Sequence, residues 1–235
     1  MTLITDQTSL LEHCDQLKND EFITVDTEFL RDNSYYPQLC LIQIAGKNIH
    51  FAVDPLADID LKPVLDLLYN KNILKVFHAA RQDLEIFYHL TQKVPEPLFD
   101  TQIAAMVCGH GISSSYATLA SEFAGVTIDK RLQFTDWSKR PLSDAKLEYA
   151  LSDVTHLRKI YNALNQQLND LKRHHWLVEE VAILTNPETY ISRPELAWKK
   201  FSPRHHNAAS IGRIKAIATW REQTAQKLDR PKTHL

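Results

Sequence analysis

Three apolar runs near the start of the chain restrict its fold more than any other feature. They cover residues 22–29, the second half of 35–45, and 49–53, and a turn at Gly46-Lys-Asn48 separates the last two. Short apolar runs bounded by turn residues are typical of strands, and short connections place successive strands side by side in opposite directions. The sequence therefore predicts a three-strand antiparallel meander.

Predicted helices and strands alternate in the chain that follows the meander. Such alternation favours an α/β fold in which a mixed sheet has helices on both faces. A first helix at 7–18 precedes the meander, with Thr8 or Ser9 as its N-cap, and Ser143 or Asp144 caps a long later helix. The other predicted elements are strands at 73–77 and 97–100 and helices at 61–68, 78–90, 101–108, 116–124, 143–168 and 171–184.

Size and composition are those of a globular protein. The 235 residues suffice for one large domain, or for a domain of about 150–200 residues and a smaller piece. Cys14, Cys40 and Cys108 include no C-x-x-C pair, which indicates a reducing compartment and argues against a disulfide scaffold or a zinc site. The first residues resemble no secretory signal, and no apolar run approaches the ~20 residues of a transmembrane helix. We expect a cytoplasmic protein that binds no membrane.

The charges are distributed unevenly along the chain. From Arg193 onward there are ten Lys and Arg residues and three acids, whereas the first 192 residues contain 17 bases and 26 acids. A carboxylate-rich body with a basic tail is consistent with a protein that binds metal ions next to a polyanionic partner. The same pattern is equally typical of an ordinary solvated surface. This pattern alone leaves both interpretations open.

Five ionisable residues are candidates for a common site. Asp26 and Glu28 lie two apart on a predicted strand and therefore point to the same face, where two like charges need a cation or a shared proton. Asp83 lies at a helix start, and Tyr149 and Asp153 share one face of the long helix. A helix-dipole contact for Asp83, or a simple Tyr–Asp hydrogen bond, would explain each pattern separately. Their joint arrangement favours a functional site.

Three short motifs carry a specific resemblance. Val25–Phe29, Phe77–Asp83 and Tyr149–Asp153 resemble the exonuclease motifs of the DEDD superfamily. Glu148 stands where the histidine branch would have its histidine, so the chain resembles the tyrosine branch. Residues 35–39, 99–102 and 136–142 resemble the ribonuclease D family, and the resemblance extends over about 3–170. It implies a ribonuclease H-like fold.

Carboxylate ligands without His or Cys suit Mg²⁺ or Mn²⁺ rather than zinc. Two such ions, about 3.5–4 Å apart, can clamp an in-line phosphoryl displacement. The resemblance implies that Asp26 bridges two divalent metal ions and that Glu28 and Asp153 complete the site of the nucleophile-side ion. It also implies that Asp83 supports the second ion, directly or through water, and that Tyr149 orients the attacking water.

The activity that the resemblance implies is 3′-5′ exoribonuclease activity that releases nucleoside 5′-monophosphates. The expected substrates are RNAs with a single-stranded 3′ end, tRNA precursors above all, with no obligate protein partner. The motifs alone do not distinguish the sugars, so a proofreading-type DNA exonuclease is the alternative. A catalytically silent nucleic-acid-binding module is a third hypothesis, against which the complete set of carboxylates argues.

Further residues are candidates for substrate binding. Phe29 directly follows Glu28, where it contacts the terminal base or serves as a core aromatic residue. Four basic residues flank the site motifs, and we expect them to contact backbone phosphates. They are Lys130, Arg131, Lys139 and Arg140.

The C-terminal part contains a predicted amphipathic helix at 210–226. A stripe of apolar residues on such a helix normally packs in the core. Here it consists of Ile211, Ile214, Ile217, Ala218 and Trp220. Residues 220–231 resemble the opening of an HRDC domain, a helical nucleic-acid-binding module, and the chain is expected to be too short to complete it. The predicted organisation is an exonuclease domain at 1–170, a helical linker at 171–207 and the beginning of an HRDC-like domain at 208–235. We expect the tail to pack poorly or to be mobile.

Overall fold

The computed structural model describes residues 2–133, 135–201 and 207–235, and the backbone of these residues forms one six-stranded sheet. The strands are Leu3–Ile4 (β1), Phe22–Leu30 (β2), Gln38–Ala45 (β3), His50–Val53 (β4), Leu74–Phe77 (β5) and Leu98–Asp100 (β6). Their order across the sheet is β1-β4-β3-β2-β5-β6. β2, β3 and β4 pair antiparallel, which confirms the predicted meander. The other pairings are parallel, so the sheet is mixed.

The helices cover both faces of this sheet, as predicted. They are Gln7–Leu17 (α1), Lys62–Leu68 (α2), Arg81–Thr91 (α3), Thr101–Cys108 (α4), Tyr116–Leu119 (α5), Asp144–Leu171 (α6), His174–Thr185 (α7) and Ala208–Leu228 (α8). Shorter helical turns lie at Ala120–Ala124, Lys130–Leu132, Pro187–Tyr190, Pro194–Lys200 and Lys232–His234. No helix in the described ranges combines the length and the apolar character that crossing a bilayer requires.

Apolar packing divides the helices between the two faces. α1, α2 and α3 pack on one face through Leu10, Leu68 and Phe87, against Val25 and Ile44 of the sheet. The opposite face is covered by α4, α6 and α7 beside β5 and β6, and by the first half of α6 with Trp137 over β3 and β4. Because the two layers bury the central strands from both sides, β2 is held rigidly in the middle of the fold.

The start of α1 differs from the prediction, whereas that of α6 agrees with it. The N-cap of α1 is Asp6 rather than Thr8 or Ser9, because the Asp6 carboxylate accepts the Ser9 N–H at 2.9 Å. Of the two caps predicted for α6, Ser143 or Asp144, the structure has Ser143, since its side chain accepts the Lys146 N–H.

α3 begins at Arg81, three residues later than predicted. The carboxylate of Asp100 accepts the backbone N–H groups of Ala79 at 3.1 Å and Ala80 at 2.8 Å, and Ala79 has a left-handed backbone with φ 56°. These N–H groups bond to a side chain and not within a helix, so the helix starts later. Because Asp100 is the last residue of β6, that strand fixes the turn between β5 and α3.

The helix α8 and the turn that follows it pack on the body through Asp229 and Glu222, against the expectation of a poorly packed tail. α8 packs on the Pro194–Lys200 turn, but its buried residues are Ala218, Glu222 and Ala225. The predicted apolar stripe is therefore only partly core, since Ile217 is 63% and Trp220 57% exposed. The buried side of α8 is set by Glu222, which pairs with Lys232 at 2.9 Å and accepts the Tyr35 hydroxyl.

Candidate active site

Alternation along β2 places Asp26 and Glu28 on the same face of the sheet. Asp26 pairs with Gln43 of β3, and Glu28 pairs with Leu41, which belongs to the apolar cluster beneath α6. The register of the two strands shifts directly after Glu28. Such bulges bend a strand and re-aim its side chains, and they are common next to active sites. The two carboxylates therefore lie where regular pairing of β2 ends, under α6.

α6 is fixed over this point by hydrogen bonds to its backbone. The Thr24 hydroxyl of β2 donates to the carbonyl of Val154 at 2.7 Å. The Tyr116 hydroxyl donates to the carbonyl of Asp153 at 2.6 Å. Because both bonds hold the same turn of α6, the Asp153 side chain is directed toward β2.

Asp26, Glu28 and Asp153 meet in one group. Each offers a carboxylate oxygen, and these atoms lie within 4.8 Å of one another. Tyr149, one turn earlier on α6, lines the same cleft, as predicted for residues four apart on a helix. This opening, which we call the acidic cleft, has a volume of about 510 Å³.

Asp83 reaches the acidic cleft from α3. It is buried in the first turn of that helix, and its carboxylate accepts a hydrogen bond from the Thr27 hydroxyl of β2. The turn held by Asp100 determines where α3 begins and therefore where Asp83 lies. Asp83 lines the cleft but stands outside the compact group of the other three carboxylates.

Burial and mutual repulsion raise the carboxyl pKa values in this cleft. Burial, followed by the charge of Asp153, raises the pKa of Asp26 to about 8, and burial raises the pKa of Asp153 to about 7. Burial and the charge of Asp26 raise the pKa of Glu28 to about 10 and that of Asp83 well above its ordinary range. The protein alone therefore favours protonated carboxyls here, and a bound cation would reverse this preference.

The donor set fits a divalent cation. The group consists of hard carboxylate oxygens, which suit Mg²⁺ or Mn²⁺ rather than a softer metal. Asp153 Oδ1 is buried without a hydrogen-bond partner among the described residues. A buried, unpaired carboxylate oxygen is costly, and coordination of a cation would satisfy it. The residues present therefore fit the predicted metal ions.

Tyr149 carries a phenol that resists ionisation. Its burial and the neighbouring Asp153 charge raise its pKa above the ordinary value. Its ring lies 6.2 Å from the Trp137 ring, which limits its position. The hydroxyl is therefore available as a hydrogen-bonding group and unsuited to act as a base at neutral pH.

The predicted substrate-binding residues are placed differently from one another. Phe29 lines the acidic cleft and also packs against the core, so both interpretations of it agree with the structure. Arg131 and Lys139 are exposed, and Arg131 pairs with Asp129 at 2.5 Å. The side chain of Lys130 lies outside the described residues, so that prediction stays open.

Arg140 is bound by protein groups, whereas the sequence analysis expected it to contact a phosphate. Its guanidinium donates twice to the Asp54 carboxylate at 2.6 Å, and also to the carbonyls of Cys40 and Trp137 at 2.7 Å. Because these partners use its donors, Arg140 ties the segment before α6 to β3 and β4 and is not free to bind a phosphate. This correction arises because Asp54 lies 86 positions away in sequence.

Several cleft residues were missed by sequence reasoning. Thr27 and His78 lie inside the quoted motifs, which was the available signal, but neither was assigned a role. Tyr116 gave no signal, because its contact with the Asp153 backbone joins residues 37 positions apart. His78 and Tyr116 form an edge-to-face pair at 5.7 Å that closes one side of the acidic cleft.

Comparisons with known proteins agree with this geometry. Residues 1–169 match the family model of 3′-5′ exonucleases. The whole chain is 47% identical to ribonuclease D of Bartonella henselae and covers 58% of that protein. The chain spans about 60% of the length of the curated relatives it matches.

Solved structures show the same fold. The crystal structure of Escherichia coli RNase D, described as an exoribonuclease involved in structured RNA processing, superposes with a TM-score of 0.92 at 32% identity. That match covers 99% of this chain and 62% of the other. The catalytic core of RRP6 from Trypanosoma brucei gives a TM-score of 0.79 at 26% identity, over 99% of this chain and 66% of that one. These matches confirm the ribonuclease H-like exonuclease fold.

Proposed function

The chain belongs to the 3′-5′ exonuclease family, and from this we propose that it is an exoribonuclease of the ribonuclease D type. It would hydrolyse the terminal phosphodiester of RNA from the 3′ end and release nucleoside 5′-monophosphates. The observation that carries the proposal is the meeting of Asp26, Glu28 and Asp153 in one cleft with Asp83 and Tyr149. Similarity to ribonuclease D over the whole of this chain, which is 58% of that protein, supports RNA as the substrate.

We assign the metal ligands by position. Asp26, Glu28 and Asp153 would hold the nucleophile-side ion, with Asp26 shared with a second ion that Asp83 supports directly or through water. Bound Mg²⁺ or Mn²⁺ would supply Lewis acidity, activating a water and stabilising charge on the phosphate and the leaving oxygen. The four side chains come from β2, α3 and α6, which the sheet and its two helix layers hold in fixed relation.

The remaining cleft residues would orient the reactants. The Tyr149 hydroxyl, kept protonated by its raised pKa, would hydrogen-bond the attacking water and set its direction. Phe29 would contact the terminal base, and Lys130, Arg131 and Lys139 would meet phosphates at the entrance. Arg140 is left out of this set because its donors bind Asp54 and backbone carbonyls.

We also propose the kind of RNA substrate, the cellular location and the domain organisation. The substrates would be RNAs with a single-stranded 3′ end, such as tRNA precursors, processed in the cytoplasm without an obligate protein partner. The exonuclease domain would occupy 1–170, with a helical linker at 171–207 and the beginning of an HRDC-like domain at 208–235. The match of the exonuclease family model to residues 1–169 supports the first boundary.

The test is digestion of single-stranded RNA and DNA oligomers of equal sequence, labelled at the 5′ end or at the 3′ end. With Mg²⁺, we expect the 5′-labelled RNA to shorten stepwise and the 3′-labelled RNA to release labelled mononucleotide at once. EDTA and Asp26→Ala should each abolish both results. Internal fragments would refute an exonuclease, activity in EDTA would refute the metal site, and a strong preference for DNA would favour the proofreading-type alternative.

A further inference from the structure

A second, larger cleft adjoins the acidic cleft. Its volume is about 780 Å³, and its walls are the loop between β2 and β3, one side of α3, the 189–192 segment and the end of α8. We call it the seam cleft, because it lies where the C-terminal segment meets the body. Arg31 lines both clefts, so the two openings share a wall.

A flat aromatic pair lines the seam cleft. The rings of Tyr36 and His89 stack with their centroids 3.9 Å apart and 15° between their planes. The end of α8 fixes the loop that carries Tyr36, since Asp229 Oδ1 accepts the N–H groups of Tyr35 and Tyr36, each at 3.0 Å. His89 is exposed. A fixed aromatic surface of this kind stacks nucleobases without regard to their sequence.

The charge balance of the seam cleft is positive. Arg31 binds Glu85 at 2.6 Å, and Lys232 binds Glu222 at 2.9 Å, so these wall charges compensate one another. Arg81 and Lys200 also line the cleft and are exposed, and neither forms an ion pair within the described residues. Two uncompensated cations beside an aromatic pair match the backbone and the bases of a single strand.

We propose that the seam cleft binds the nucleotides upstream of the 3′ end of a single-stranded RNA. A base would stack on the Tyr36–His89 pair, and phosphates would contact Arg81 and Lys200. The strand would continue past Arg31 into the acidic cleft, which holds the scissile end. This inference rests on the proposed function, and it adds that affinity depends on RNA length.

The wall shared with the acidic cleft favours this occupant over a free small ligand. The volume of about 780 Å³ lies within the range of about 300–1,000 Å³ that encloses a drug-sized ligand, so size alone admits either occupant. The shared wall at Arg31 gives a polymer a continuous path, whereas a single nucleotide would have no reason to span both openings.

The experiment measures binding of 5′-fluorescein RNAs of two and eight nucleotides by anisotropy, with Ca²⁺ in place of Mg²⁺. We expect the full chain to bind the octamer at least tenfold more tightly than the dinucleotide. Arg81→Ala/Lys200→Ala should weaken octamer binding about tenfold and leave dinucleotide binding within twofold. Lys159→Ala, which removes an exposed cation of α6 outside the seam cleft, is the control and should change neither.

Salt dependence separates the two kinds of contact. Loss of two phosphate contacts should reduce the slope of log affinity against log salt by about 1.4, since each contact with a single strand contributes about 0.7. His89→Ala should weaken octamer binding with an unchanged slope, because it removes stacking rather than charge. Equal weakening of dinucleotide and octamer, or unchanged octamer binding in both variants, would overturn the seam cleft assignment.

The same samples, returned to Mg²⁺, separate this inference from the proposed function. Length-dependent binding that the variants weaken, without hydrolysis by the wild-type chain, would refute the exoribonuclease and retain the seam cleft as an RNA site. Stepwise hydrolysis with variants that bind the octamer normally would retain the exoribonuclease and refute the seam cleft. A wild-type chain that binds the octamer no more tightly than the dinucleotide would also refute it.

Discussion

The acidic cleft and the seam cleft share Arg31, yet the fold builds them in opposite ways. Apolar layers on both faces of the sheet hold the acidic cleft, and they force like charges together. Polar contacts hold the seam cleft, through Asp229 and the pair of Glu222 with Lys232. Rigid packing suits a site that must keep charges in strained proximity. Hydrogen bonds and ion pairs suit a wall that has only to guide a flexible strand.

The largest expected effect comes from the centre of the acidic cleft. Asp26→Asn keeps the shape of the side chain and removes the charge that both metal ions would share, so RNA hydrolysis should fall on the order of 10⁴-fold. Asp58→Asn removes an exposed carboxylate elsewhere and is the control. Initial rates on 5′-labelled RNA measure the loss. A decrease below tenfold in a folded variant would remove Asp26 from the centre of the site.

Without bound metal, the stability of the protein should depend on pH through the carboxyl groups of the acidic cleft. The folded pKa values of Asp26 (about 8) and Asp153 (about 7) lie above their unfolded values near 4, so the folded state binds more protons across this window. Stability in EDTA should therefore fall as pH rises from about 4 to about 8.

Urea unfolding at pH 5 and pH 8, in EDTA and in Mg²⁺, measures this effect. Mg²⁺ should restore stability at pH 8, and Asp26→Asn in EDTA should be more stable there than wild type while being inactive. A metal-free protein whose stability does not depend on pH, or an Asn variant that is less stable, would contradict the strained arrangement.

Tyr149→Phe should have a smaller effect, because it removes one oriented hydrogen bond and leaves the ligands in place. We expect turnover to fall about 30-fold, which corresponds to about 2 kcal/mol. The Mg²⁺ concentration for half-maximal activity should stay within twofold. Tyr161→Phe, a half-buried phenol on the same helix but outside the acidic cleft, is the control. Unchanged turnover would remove the Tyr149 hydroxyl from the mechanism.

The smallest expected effect, on stability, comes from the wall of the seam cleft. Asp229→Ala removes the acceptor for two backbone N–H groups at an exposed position, and it should lower the free energy of unfolding by about 1 kcal/mol. Asp229→Asn keeps an acceptor and the tolerance of the left-handed backbone, so its loss should be smaller. Hydrogen exchange at Tyr35 and Tyr36 should accelerate in the Ala variant. Unchanged exchange there would mean that other contacts hold the loop.

The same contrast explains how much the sequence could predict. Residues two apart on a strand or four apart on a helix share a face by geometry alone, so Asp26 could be paired with Glu28 and Tyr149 with Asp153 from the sequence. The resemblance of the three motifs then joined these pairs to Asp83. The meander and the Ser143 cap followed from equally local signals. Much of the acidic cleft could be predicted because the residue spacing within each element shows which side chains share a face.

Contacts between distant residues account for what was missed. The start of α3 depends on Asp100, about 20 positions away, and Arg140 on Asp54, 86 positions away. The bond of Asp229 to Tyr35 joins residues 194 positions apart. Neither local periodicity nor composition contains these pairings. The seam cleft, which such contacts build, was therefore invisible until the fold was known.

Titration of the metal-free chain with Mn²⁺, followed by electron paramagnetic resonance, measures whether the acidic cleft holds two metal ions. We expect the wild-type chain to bind two ions and Asp58→Asn to bind them equally well. Asp26→Asn, which removes the proposed shared ligand, should lose at least one ion at the same Mn²⁺ concentration. Two ions bound with unchanged affinity in Asp26→Asn, or no specific binding by the wild-type chain, would contradict the assignment of the acidic cleft.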